Sequence, residues 1–280
     1  MRPSRLAPQV SHPVLLAVAH GSRDSRAQAA ARALAAGVSA RAPGLDVRAV
    51  FLQHARPSLA EALAVAGPAV TIVPLLLAGG YHLSQDIAPV AVRAGLPVAG
   101  PLGPDPRLVT ALADRLAEAG APARAPVVLA AAGSADPLAR GAAHRQAALL
   151  AAHRRAPVLA GFAAASRPTV AEAVATLAGP AAVPVAVAAY LLAPGEFHDR
   201  LASTGATWVG APLAGHPAVA ALVLDRYLVA AGQPGPHNLG HDLTSLAAGR
   251  PAAPDPAGRA ALADAGRPGR PRHAGRGRGS

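Results

Sequence analysis

Hydrophobic positions in the first half of the chain fall into two kinds of run. Short, largely aliphatic and β-branched blocks at 14–19, 47–52, 70–78 and 97–99, interrupted only by Arg48 and Thr71, are too short for helices. Such blocks predict the strands of a parallel sheet, and the one beginning at Val70 reads as buried on both faces. Between them lie Ala-rich stretches with helix punctuation. Residues 25–36 predict a helix stopped by Gly37, and Ser58 with Glu61 forms a capping box opening a helix that Gly67-Pro68 ends. A short helix is expected over 86–94 with Gly95 behind it. Asp105-Pro106 supplies an N-cap and a first-turn proline for a helix closed by Gly120. Strands alternating with helices on short connections imply right-handed βαβ units and a sheet of about four parallel strands.

The second half repeats this pattern. Residues 129–136 (Leu-Ala-Ala-Ala-Gly-Ser-Ala-Asp) echo the first strand and its Gly-Ser. Arg167-Pro168-Thr169 with Glu172 echoes Arg56-Pro57-Ser58 with Glu61. Residues 191–198 echo the Leu-Leu-Ala-Gly-Gly-Tyr-His end of the third block, with drift assigned to a longer loop at Pro194. An offset near 111 links Arg56 to Arg167 and Pro101 to Pro212. The expected fold is α/β: two similar domains, 14–121 and 126–231, each a four-stranded parallel sheet flanked by helices. Residues 1–13 are expected to form a loose leader and the Pro/Gly/Arg-rich tail 232–280 to be disordered.

Two strands of the first half end by delivering an imidazole. The first runs into His20-Gly21-Ser22, and the third into Gly79-Gly80-Tyr81-His82. In open parallel sheets, ligands bind beyond the carboxyl ends of strands, where the strand order reverses. Imidazole is a common ligand for divalent transition metals and also accepts protons near neutrality. Taken alone, His20 reads more simply as a structural residue; the pair after two glycine-flanked strand ends reads as a site. The remaining histidines are assigned no role. Aligning the halves replaces His20 by Ala132 and Gln53 by Ala164 and leaves His198 opposite His82. The second half is therefore expected to cap the site and hold no metal centre of its own, with substrate lying between the halves.

Composition narrows the partners. All 26 basic residues are Arg, against 15 acids, for a net charge of +11. From Gln233 onward seven Arg face three Asp, and the body carries nineteen Arg against twelve acids. A basic body suits an anionic ligand. With 2% aromatic residues the chain lacks stacking platforms, so a nucleic-acid partner is not expected. No Cys is present, which excludes thiolate metal sites and disulfides and fits a cytoplasmic protein. No apolar run reaches the about 18 residues of a membrane span.

The segments Ala19-His20-Gly21-Ser22-Arg23-Asp24, Phe51-Leu52 followed by Pro57-Ser58-Leu59, and 73–82 (Val-Pro-Leu-Leu-Leu-Ala-Gly-Gly-Tyr-His) resemble the sirohydrochlorin chelatase family, class II, in its duplicated two-domain form. The resemblance implies a lyase that inserts cobalt or ferrous iron into sirohydrochlorin, on the way to cobalamin or sirohaem. It assigns His20 and His82 as metal ligands and proton acceptors. Gln53 stands where the family commonly has an acid and would offer an amide oxygen to the metal. Gly21, Ser22, Arg23, Arg56, Gly80 and Tyr81 are the candidate substrate contacts, with Arg23 and Arg56 facing the carboxylates and Gly21 and Ser22 offering backbone N–H groups to an anion. The metal enters as substrate, no organic cofactor is implied, and a monomer with pseudo-dimeric halves is expected. The alternative, raised by Gln53, is a non-catalytic metal- or tetrapyrrole-binding protein with a weakened site.

Overall fold

A computed structural model describes residues 13–80 and 82–232; the expectations for the leader before Pro13, for Tyr81 and for the tail from Gln233 lie outside the described residues. The described residues fall within one compact unit. The first half runs β1 (Val14–Ala19), α1 (Ser25–Ser39), β2 (Asp46–Phe51), α2 (Leu59–Ala64), β3 (Val70–Pro74), a π-helical segment His82–Ile87, α3 (Ala88–Ala94) and α4 (Pro106–Glu118). The second half runs β4 (Val127–Ala131), α5 (Pro137–Arg154), β5 (Val158–Phe162), α6 (Val170–Ala178), β6 (Ala186–Tyr190), α7 (Glu196–Asp199), a 3-10 turn Arg200–Ser203, β7 (Trp208–Val209) and α8 (Pro217–Ala230).

Two parallel sheets form, ordered β2-β1-β3 and β5-β4-β6-β7. Both expected capping boxes are present, Ser58 with Glu61 and Thr169 with Glu172, and Asp105 caps α4 ahead of Pro106. The first sheet holds three strands rather than the expected four. The stretch 97–99 makes one parallel rung, with Ile72 N–H donating to Pro97 O (2.9 Å) and Ala99 N–H to Ile72 O (2.8 Å). The reason lies one residue earlier. In the second sheet Thr207 N–H donates to Val185 O and lengthens the ladder, whereas the equivalent Leu96 N–H donates to Ala91 O and closes α3. Pro97 itself has no N–H to give.

Two helix boundaries also differ from expectation. Helix α1 does not stop at Gly37 but continues to Ser39. An interior glycine costs a helix about 1 kcal/mol, while burying Val38, which is fully enclosed, returns roughly 1.5–3 kcal/mol. Burial wins. Helical structure before α3 begins at His82 rather than Asp86, because Leu83 and Ile87, four residues apart, both point into the core.

The two halves share a core. Helix α4 packs against β6 of the other half, and α8 packs against β3. Each half's last helix thus covers the partner's sheet. One apolar cluster joins the inner faces of both sheets through α1, α4, α5 and α8. The outer faces carry separate clusters, under α2 and α3 in the first half and under α6 in the second. Among the described residues no helix is long and apolar enough to cross a membrane.

Candidate active site

In each sheet the first strand lies at the centre, the second strand on one side and the third on the other. The order therefore reverses between β1 and β3, and a crevice opens at their carboxyl ends. His20 follows β1 directly, and residues 75–80 lead from β3 to His82, the first residue of the π-helical segment. The pairing of β1 with β3 (Val18 opposite Pro74) and the hydrogen bond from Leu75 N–H to Val18 O (2.7 Å) bring those two strand ends side by side.

The turn after β1 is tightly built. Leu52 N–H donates to Ala19 O and Gln53 N–H to His20 O, each at 3.0 Å, so the backbone pairing outlasts the strands. Gly21 has φ +91, and a Cβ there would lie 1.8 Å from Gln53 O. Only glycine fits. Gly133 in the second half repeats this, with Ala164 O at the same distance. Ser22 Oγ accepts from Asp24 N–H (3.0 Å), and the Asp24 carboxylate caps α1 by accepting from Arg26 N–H (2.8 Å). That helix start is already occupied by a carboxylate. Arg26 also donates to Asp24 and to Asp199 of the other half, which holds both carboxyls below the usual range.

A cavity of about 430 Å³ lies between the halves, with His20, residues 75–80 and Leu83 on one wall. Residues 131–134, α5, Phe162 and residues 190–192 form the other wall. Its lining is mostly Leu and Ala, with Arg140 as its one guanidinium among the described residues. Arg140 donates to Ser134 O (3.1 Å) and Ala135 O (2.7 Å) from the start of α5. Sequence reasoning did not single it out; the signal, an Arg one turn after the second Gly-Ser-x-Asp, was masked by an Arg-rich composition. A second cavity of about 160 Å³ is lined by His20, Gly21, Ser22, Phe51, Leu75 and Leu192, among others.

The nominated residues separate only in part. His20 lines both cavities, Gly80 the larger one, and Gly21 and Ser22 the smaller one. Arg23 lies in an open surface depression with Asp24, Asp199 and Arg200. Gln53 is exposed and lines neither cavity, although its backbone is joined to His20. Arg56 is exposed and paired with Glu61 at the start of α2, away from both cavities. Tyr81 lies outside the described residues.

The register of the second half corrects one equivalence. Ser84 N–H donates to Gly80 O (3.1 Å) and Asp199 N–H to Gly195 O (2.9 Å), and both glycines have φ near +150. Gly80 therefore matches Gly195, and His82 matches Phe197. His198 sits one position later, where Leu83 stands in the first half, with Nε2 3.2 Å from Gly210 O. The loops 75–80 and 190–195 are the same length. The drift enters earlier, chiefly because α6 spans nine residues and α2 six, with a longer connection to β6 adding to it, and is lost again before β7. Neither imidazole of the first half has a counterpart in the second.

Comparison with known proteins agrees with this architecture. The CbiX family model matches twice, over residues 14–119 and 126–230. A curated sirohydrochlorin cobaltochelatase from Methanococcoides burtonii is 35% identical over 77 residues, 26% of this chain; the chain spans 59% of that relative's length. SirB from Bacillus subtilis with Fe3+ superposes with a TM-score of 0.66 at 26% identity, covering 78% of this chain and 95% of SirB. The sirohydrochlorin chelatase SirB from Bacillus subtilis subspecies spizizenii in complex with cobalt gives a TM-score of 0.65 at 25% identity, covering 79% of this chain and 96% of that one.

Proposed function

The chain belongs to the CbiX family, and on that premise we propose that it inserts a divalent metal, cobalt or ferrous iron, into sirohydrochlorin or a related acidic tetrapyrrole. The observation that carries this reading is the cavity at the switch point between β1 and β3, walled by His20 and by the loop that leads to His82. The relatives that superpose over nearly their whole length are described with iron or with cobalt. In the proposal both metals are substrate.

The chemistry follows from charge balance. A divalent ion replaces two pyrrole N–H protons, so two protons must leave as the metal enters. His20 and His82 hold the metal through ring nitrogens and, as it departs into the macrocycle, accept those protons. Two donors from one polypeptide edge leave coordination positions open, which a metal in transit requires. Gln53, joined by its backbone to His20, supplies a neutral amide oxygen as a third, weaker donor. Leu75, Leu76, Leu77, Phe162 and Leu192 offer the macrocycle's faces an apolar slot. Arg140, opposite His20, grips a peripheral carboxylate. In this reading residues 14–121 form the metal-handling lobe and 126–231 the covering lobe, acting as a monomer in the cytoplasm.

The test follows metal insertion into sirohydrochlorin by absorbance for wild type, His20→Ala and His82→Ala. Loss of a positioned proton acceptor costs about 100-fold or more in rate. Equal rates in all three proteins would overturn the assignment.

A further inference from the structure

The second half lacks both imidazoles, yet it reaches into the loop that carries one of them. Tyr190, the last residue of β6, is 2% exposed, and its hydroxyl donates across the interface to Leu77 O at 2.9 Å. Leu77 lies in the only covalent connection between β3 and His82. The first half is shaped to admit this hydroxyl. A Cβ at Gly103 would lie 2.0 Å from Tyr190 Oη and 2.6 Å from Leu77 O, so any side chain there would displace the contact. Further along the loop, Gly80 faces the start of α5: a Cβ on it would lie 3.9 Å from the N-cap Asp136 and from Ala139.

This contact is one-sided. Matching β3 to β6 through their pairing with β1 and β4 places Leu75 opposite Tyr190. Leu75 has no hydroxyl with which to hold the equivalent loop of the second half. Among the described residues, this hydroxyl contact from a strand end to the facing loop is therefore made toward the loop that ends in His82 and has no repeat partner at Leu75. Burial, with the negative charge of Asp105, pushes the phenol well above its ordinary pKa, so the hydroxyl keeps its proton and stays a donor.

We propose that Tyr190 is a positioning residue, through which the covering lobe fixes residues 75–80 and thereby sets the place of His82 relative to His20. This deepens the metal-insertion reading and rests on it for the role of His82. Groups that orient a metal ligand without touching the metal typically contribute 10–100-fold to metal affinity.

The experiment uses the full chain and Co2+ alone as probe, comparing wild type with Tyr190→Phe, which keeps the ring and removes only the hydroxyl. Expected are a Co2+ affinity about 10-fold weaker, an altered visible spectrum of bound Co2+, and kcat lowered about 10-fold with the tetrapyrrole KM within about twofold. The melting temperature should fall by only a few degrees, as for one lost buried hydrogen bond. Tyr190→Leu, which installs the residue of the first half, should weaken Co2+ binding at least as much. Wild-type affinity and spectrum in Tyr190→Phe would overturn the proposal, as would a loss explained wholly by a smaller folded fraction. Should wild type bind Co2+ in a Tyr190-dependent way yet insert no metal into sirohydrochlorin, the chelatase reading fails while the positioning role stands.

Discussion

The molecule contains two versions of one cleft. Ala139, Ala143 and Phe162 line the larger cavity, and their repeat partners Ala27, Ala31 and Phe51 line the smaller. The internal symmetry is close at the contacts between halves: a Cβ on Gly80 would lie 3.9 Å from an Asp136 Oδ2, and one on Gly195 would lie 3.9 Å from an Asp24 Oδ2. The outcomes differ. One cleft encloses about 430 Å³ and the other about 160 Å³. Beside the small one, Arg26 bridges Asp24 and Asp199 and ties α1 to α7. At the matching positions of the large one stand Leu138, 70% exposed, and Ser84. Duplication supplies two clefts, and a handful of side chains makes one of them roomier than the other.

The sharpest way to break this comparison is to fill each cleft at the same repeat position. Ala139→Phe should lower kcat/KM for metal insertion by about 10-fold or more by excluding the macrocycle. Ala27→Phe, placed in the small cleft that His20 also lines, should lower kcat/KM by clearly less than Ala139→Phe does. Equal losses would mean that substrate does not discriminate between the clefts.

A smaller effect separates the polar linings. Removing the guanidinium in Arg140→Ala should raise the tetrapyrrole KM about 10-fold with kcat retained, in line with a lost charge-assisted hydrogen bond. The fully esterified macrocycle should bind wild type and variant equally. Matching behaviour of the free acid and the ester would remove Arg140 from the binding site.

The smallest effect concerns the bridge beside the small cleft. Asp24 and Asp199 are held below their ordinary value of 3.8, first of all by the Arg26 hydrogen bonds. A lowered carboxyl pKa contributes stability above the unfolded value, and that contribution fades as pH falls through the lowered one. Because the groups are exposed, Arg26→Ala should lower the melting temperature by at most about 2 °C at pH 7. That difference should close as pH falls below 3.8 and through the lowered values, and a difference that widened on acidification would contradict the assignment.

Much of this was legible along the chain. Apolar blocks bounded by glycine and proline marked the strands, because a parallel strand buried on both faces has no polar side to interrupt it. Ser58-Glu61 and Thr169-Glu172 announced two helix starts, since capping is settled within four residues. His20 and His82 stood out because they follow strand ends. The misses were of another kind. Gly37 looked like a helix stop until the burial of Val38 outweighed it. The strand expected at 97–99 shrank to one rung because the Leu96 N–H closes a helix instead. His198 resembled a counterpart of His82 until the backbone register moved it by one position. Arg140 was one arginine among many.

Composition, motif order and the repeat determined the α/β class, the duplication and the imbalance of histidines between halves, all of which are carried by local pattern. The tertiary structure alone decided that α4 and α8 are exchanged between the sheets, that the second half reaches Leu77 through Tyr190, and that one of two equivalent clefts is the larger. Those outcomes depend on which surfaces meet across the interface. Residues far apart in sequence, such as Arg26 and Asp199 or Gly103 and Tyr190, act on each other only once the two sheets are packed.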